Sequence, residues 1–294
     1  MIKKKTVRMV LAIAGVHLVF LLIWLNAEPS GLRETFSIYP PDPKASYEAA
    51  ETSLDILHIE DDDEYILEWS ISSSLNEEAS LRQDLSLFFE NGYLRDVMTV
   101  WEEDSKDLSF KKKLKGEDSN KFEVLTLHHA EILKDQEGWK SRQSMSHDSL
   151  YVLDSPFTEL HSFKNNPSSS EDQDSKEVLD YIMDQQLNHV EKGLRKHFSL
   201  EEDIDLYPIT AITSWYEEPP AFLPEDRVDA FIGTIWETLY HHVLLDKKSA
   251  SGTKDVPLGH SMPFIAWSQE EQCIYLMVKM QDGSPVKWKR PFKI

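Results

Sequence analysis

Seventeen consecutive residues, Met9 to Leu25, carry no formal charge, and Lys3, Lys4, Lys5 and Arg8 stand directly before them. As a helix such a run reaches the lower limit of what crosses a hydrocarbon core, whereas the apolar region of a secretory signal is usually about 7–15 residues. Cleavage wants small residues at the first and third positions before the cut, and Leu25-Asn26-Ala27 puts a leucine at one of them. No cysteine follows the run to accept a lipid. An uncleaved anchor is expected, with a removed signal peptide as the alternative. The basic tip puts the N-terminus in the cytoplasm and the rest of the chain outside, and Trp24 fits an interfacial position at the far end. His17 in mid-run reads as a tolerated neutral imidazole.

Charge sharpens this placement. The tip holds four of the 31 basic residues and none of the 52 acidic ones, so the chain total of −21 becomes −25 beyond residue 27. A surface of that sign repels a phosphate backbone, which excludes general nucleic-acid binding, and it repels anionic lipid heads as well. One cysteine in 294 residues closes no intrachain disulfide and supplies no thiolate-rich metal site. Asn166 is followed by Pro167, so that position is no glycosylation acceptor. Together these point to the outer face of a bacterial envelope.

The organisation read from composition has five parts. Residues 1–27 are the cytoplasmic tip and transmembrane anchor. Residues 28–43, with Pro29, Gly31, Pro40, Pro41 and Pro43, are an extended stalk. Residues 44–164 form a helix-plus-sheet domain, 165–175 a polar linker, and 176–294 a helical and β C-terminal domain.

Within the first domain, Tyr47, Ala50, Leu54 and Leu57 recur at three- and four-residue steps, so a short amphipathic helix is predicted over Ala45 to His58, ended by the acidic run Glu60 to Glu64. Period-two alternation from Tyr65 to Ile71 predicts a strand. Leu85–Phe89 and Tyr93–Trp101 flank Asn91-Gly92, a dipeptide suited to a two-residue hairpin turn. Two more strands, about 122–133 and 139–153, surround the turn-like Asp135-Gln136-Glu137-Gly138.

Beyond the linker, Leu179, Met183, Leu187, Val190, Leu194 and Phe198 mark one helical stripe, and Pro224 opens a second helix running to about Leu245. Three strands follow, near 262–267, 272–280 and 286–292. The fold class expected is therefore α+β: an N-terminal membrane helix, a short helix plus antiparallel meander, two amphipathic helices, and a C-terminal antiparallel three-stranded segment.

No reaction signature accompanies this. Gly-x-Ser-x-Gly, a phosphate-binding glycine loop and His-Glu-x-x-His are all absent from the sequence, and Ser109-x-x-Lys112 and Ser251-x-x-Lys254 lack their companion motifs. His128-His129 fall in a strand, where neighbouring side chains point to opposite faces and do not chelate one ion. Glu237 and His241 lie opposite the apolar stripe of their helix, as a solvated pair. His242 points toward the core as a buried neutral imidazole. Cys273 sits beside Glu270 and Glu271, which disfavour a thiolate. Glu60 to Glu64 lack the spacing and central glycine of a calcium loop. No catalytic residue, metal ligand or cofactor is assigned.

One stretch suggests ligand binding. Trp215, Tyr216, Glu217 and Glu218 place aromatic faces beside carboxylates, the pairing used to stack on sugar rings and accept hydroxyl protons. The functional expectation is a single-pass, membrane-anchored, extracytoplasmic interaction or regulatory protein of a bacterial cell envelope, non-catalytic. Its partners would be the membrane, through the N-terminal helix, and an envelope protein. The alternative is a cell-wall glycan-binding protein or hydrolase acting through Trp215 to Glu218.

Overall fold

The structure is a computed structural model that describes residues 38–61, 64–155, 158–244 and 258–294. The expected membrane helix and most of the expected stalk lie outside these residues. Among the described residues no helix is long and apolar enough to cross a membrane.

The dominant feature is a strongly curved antiparallel sheet, and strands outweigh helices 54% to 24%. The expected α+β class is thereby corrected to a mostly β fold. Its strands are β1 (Tyr47–Asp61), β2 (Glu64–Glu90), β3 (Tyr93–Glu117), β4 (Asn120–Lys134), β5 (Gly138–Ser155) and β6 (Thr158–Lys164). β2 is the axis. β3 lies along one edge of it, while its other edge is shared by β1 over the first half and β4 over the second. β5 pairs with β4, and β6 with the end of β5.

The predicted helix over Ala45 to His58 is strand β1. Helical spacing and alternation are both present in this segment, and alternation wins because β2 offers a ladder along its whole length, from Tyr47 opposite Leu75 to Asp61 opposite Glu64, with three register shifts on the way. Leu54 then enters the core fully buried. A short helix buries one stripe and must find its own partner, whereas a strand here satisfies its backbone and its apolar face together.

The two short strands expected at 65–71 and 85–89 are one 27-residue strand. Its register slips between Ser74 and Ala79. Because side chains alternate with period two, a slip exchanges the faces. Leu67, Trp69, Ile71 and Ser73 face inward before it, and Arg82, Asp84 and Phe88 face inward after it. β3 likewise continues far past Trp101, the expected end of that strand. Charges in this extension are paired, Lys111 with Glu68 at 2.5 Å and Lys115 with Glu64 at 2.7 Å across the ladder, and Lys112 with Asp96 of β3 itself at 2.6 Å. Such charges also suit a long edge strand, since they deter pairing with other chains.

The Asn91-Gly92 turn has both residues at positive φ, +47° and +80°, the mirror-image turn that suits the strand twist. Gly116 has a different role. It pairs with Tyr65, whose ring lies over it so closely that a Cβ would sit 2.2 Å from Tyr65 Cε2.

Inside the curve, Leu54, Tyr65, Leu67, Trp69, Phe88, Phe122, Val124 and Val152 form one apolar cluster. Each such side chain contributes roughly 1.5–3 kcal/mol by leaving water. β4 is buried on both faces because helices cover the outer one.

The covering layer begins at Ser170. Helix α1 (Ser170–Phe198) starts inside the segment expected as a linker, capped by Ser169, whose hydroxyl accepts the Asp172 N–H at 3.0 Å. Its stripe of Val190 and Leu194 packs on Phe264, Tyr275 and Met277 of a second sheet. That sheet runs in the order β10 (Pro285–Pro291), β9 (Cys273–Lys279), β8 (Phe264–Ser268) and β7 (Tyr207–Pro208), so the three expected C-terminal strands gain a fourth, two-residue one. Helix α2 (Val228–Leu239) follows Pro224 through a tight turn. The end of the expected stalk lies along β5: Asp42 N–H donates to the Ser141 carbonyl at 2.9 Å, and Ser141 N–H to the Pro40 carbonyl at 3.1 Å.

Candidate active site

The sheet is not fully closed. β5 pairs with β4 on one side, and on the other its middle faces β1 without a continuous ladder. Side chains bridge this seam: Asp148 accepts the Leu54 N–H at 2.9 Å, and the Lys164 ammonium donates to Asp148 at 2.6 Å. A cleft of about 410 Å³ opens along the seam, lined by Thr52 and Ser53 of β1, Ser70 and Ser72 of β2, and Ser146 of β5.

Behind Ser146 lies a chain of buried polar groups. Asp84 on β2 stands opposite His128 on β4 in register, and Ser146 on β5 is one diagonal step further on. His128 Nδ1 is 2.7 Å from Asp84 Oδ2, and His128 Nε2 is 2.7 Å from Ser146 Oγ. Asp84 and His128 are fully shielded from solvent, while Ser146 is half-buried at the cleft.

The direction of the Ser73 hydrogen bond follows from an arginine. Arg82 Nη2 donates to Ser73 Oγ at 2.6 Å, and a guanidinium only donates. Ser73 therefore spends its own hydrogen on Asp84 Oδ2, 2.8 Å away. The carboxylate also accepts from His128 Nδ1–H, and with the proton on Nδ1 the other nitrogen, Nε2, can accept the Ser146 hydroxyl. Arg82 also donates to the Lys106 carbonyl, and its guanidinium lies 5.2 Å from the centroid of the Tyr47 ring. Burial pushes the Tyr47 phenol well above its ordinary value, with the Arg82 charge offsetting only part of the effect.

A second charged group lies between the outer face of the sheet and α1. Asp180 accepts from Lys121 at 2.9 Å, from Lys176 at 2.6 Å and from the Tyr151 hydroxyl at 2.8 Å. Burial works to raise the Asp180 and Glu123 carboxyls. Lys176 and Lys121 beside Asp180, and His147 and Lys121 beside Glu123, overcome it and hold both below the usual carboxylate range.

The residues expected to bind a ligand are placed differently from one another. Trp215 is 3% exposed, with its ring among Tyr207, Phe222 and Phe231 at 5.3–6.2 Å. Tyr216 keeps 39% of its surface exposed but turns its hydroxyl toward Asp229. Burial and the Asp229 charge push that phenol up. Glu217 and Glu218 face solvent. None of the four lines the seam cleft. Of the histidine pair, His128 turns into the chain described above, and His129 on the other face lies 3.7 Å from Glu131.

Asp84, His128, Ser146 and Arg82 carry no sequence motif, because each comes from a strand whose neighbours are known only after folding. The one local hint is Arg82-Gln83-Asp84 running directly into the apolar Leu85–Phe89 segment. No family model matches the chain, and no curated protein or solved structure matches it either.

Proposed function

We propose that the chain is a single-pass, membrane-anchored, extracytoplasmic interaction or regulatory protein of a bacterial cell envelope. Its location rests on the uncharged run Met9 to Leu25 behind a basic tip, and on the −25 charge of the remainder. The observation that carries the interaction is a second stripe on α1. Val178, Tyr181 and Ile182 are 59%, 64% and 42% exposed and share one helical face, away from the buried Leu179 and Met183. Exposed Asp174, Glu177 and Asp184 rim it, so the partner surface would be apolar with a basic border.

Two measurements test this in cells producing the full chain. Fractionation with protease protection is expected to find the chain in the membrane fraction, its C-terminus cleaved only from outside. A photo-crosslinker at Tyr181 is expected to capture one envelope protein, and Ile182→Asp to abolish the adduct. Intact chain in the cytosol, or an adduct pattern unchanged by Ile182→Asp, counts against the reading.

The second reading, a glycan-binding or hydrolytic role at the cell wall, is favoured by the hydroxyl-lined seam cleft rather than by Trp215 to Glu218. Equilibrium dialysis of the full chain in detergent against wall fragments tests it, and no retention dismisses it.

A further inference from the structure

The buried chain ending at Ser146 has the connectivity that activates a serine. A hydroxyl becomes a nucleophile when a neutral imidazole accepts its proton and a carboxylate on the other ring nitrogen fixes the tautomer and steadies the imidazolium. Here the Asp84 carboxylate only accepts, so His128 Nδ1–H donates to it, and both bonds of the relay are 2.7 Å. Triads are recognised by geometry rather than by chain order, so three serial strands serve as well as any other scaffold. Ser146 alone of the three lines the cleft, with His128 directly behind it. Cys273, the single cysteine of the sequence, is buried, and burial pushes its thiol up.

We propose that Ser146, His128 and Asp84 form an acyl-transfer centre that hydrolyses a short-chain acyl ester of a polyhydroxylated alcohol. The lining sets the substrate class. Thr52, Ser53, Ser70 and Ser72, with the Glu51 carboxylate and the His147 imidazole, offer hydrogen bonds to a polyol. Ala50 in the same lining gives a small apolar spot for an acyl group of few carbons. A cleft of about 410 Å³ holds such an ester and no long acyl chain.

In the first half-reaction Ser146 Oγ bonds to the acyl carbon as its proton passes to His128 Nε2. The bond from that carbon to the alcohol oxygen breaks, and the alcohol leaves with the proton from Nε2. In the second, water gives a proton to Nε2 and its oxygen bonds to the acyl carbon. The bond from Ser146 Oγ to that carbon breaks, the carboxylic acid departs, and Oγ takes the proton back from Nε2. Ester and water become acid and alcohol, with no other reactant. Asp84 is a positioning residue, acting through the imidazole.

The experiment uses the full chain in detergent micelles, treated with an alkyl fluorophosphonate and then mapped by peptide mass spectrometry. Ser146 is expected to carry the phosphonate. The chain is expected to hydrolyse p-nitrophenyl acetate faster than the octanoate, and Ser146→Ala to lose at least about a hundredfold in rate with an unchanged unfolding midpoint. Asp84→Asn is expected to lower kcat with little change in KM, an outcome a purely structural hydrogen bond would not give. Ser146 left unmodified in the folded protein, or Ser146→Ala turning over at the wild-type rate, overturns the proposal. Should Ser146→Ala fail to fold, the labelling of the unaltered chain decides alone. None of these readouts depends on where the chain resides, so they are separable from the localisation tests.

Discussion

Asp148 of β5 accepts the backbone N–H of Leu54 of β1 at 2.9 Å, and so replaces with one side chain a ladder that the seam does not form. Lys164 neutralises the same carboxylate and also donates to the Leu54 carbonyl. Asp148→Ala removes a charged acceptor from a backbone donor, a loss of about 1.5–3 kcal/mol. Faster hydrogen exchange is expected along β1 near Leu54, with β2–β4 unchanged. Uniform exchange across both regions would show that the seam is held by something else.

Asp84 is a buried carboxylate linked through Ser73 to the buried Arg82 guanidinium. Asp84→Ala leaves a positive charge out of water beside fewer acceptors, which costs about 3–5 kcal/mol when a buried pair is broken. The double variant Arg82→Met, Asp84→Leu is expected to be more stable than Asp84→Ala alone. Urea unfolding of the three proteins makes the comparison, and a double variant weaker than the single would refute it.

The carboxyls of Asp180 and Glu123 are held low in the folded chain. A group depressed on folding stabilises above its unfolded pKa, and that contribution disappears as pH falls through the folded one. Stability is thus expected to be level near neutrality and to fall below about pH 4, where free carboxyls protonate. Lys121→Met removes the cation shared by both, so its acid-side decline should be shallower in a series of thermal unfolding curves.

Gly116 leaves room for the Tyr65 ring that no Cβ allows, the two atoms being 2.2 Å apart. Gly116→Ala must push Tyr65 out of its place against Phe122, an overpacking loss of about 1–3 kcal/mol. Pairing it with Tyr65→Leu should recover part of the loss. A single variant as stable as wild type would mean that the ring shifts freely.

Much of the local structure was legible in the sequence. The Asn91-Gly92 and Asp135–Gly138 turns, the stripe of α1 and the three C-terminal strands each declare themselves within a few residues, because positive φ, helical spacing and alternation are local constraints. β1 was misread because its sequence carries two periods at once, and only the ladder with β2 chooses between them. The continuation of β3 past Trp101 has no local signal, because its lysines find Glu64 and Glu68 only once β2 lies across the ladder.

By itself the sequence determined the acidic balance, the single cysteine and an uncharged run long enough to span a bilayer, since these are sums and lengths that no folding alters. The juxtaposition of Asp84, His128 and Ser146 was decided by the tertiary structure alone. A register slip between Ser74 and Ala79 sets which parity of β2 faces inward, and hydrogen-bonded neighbours on three strands then bring together residues 44 and 18 positions apart. Pairing energy is shared across strands, so no single stretch of chain holds the information for it.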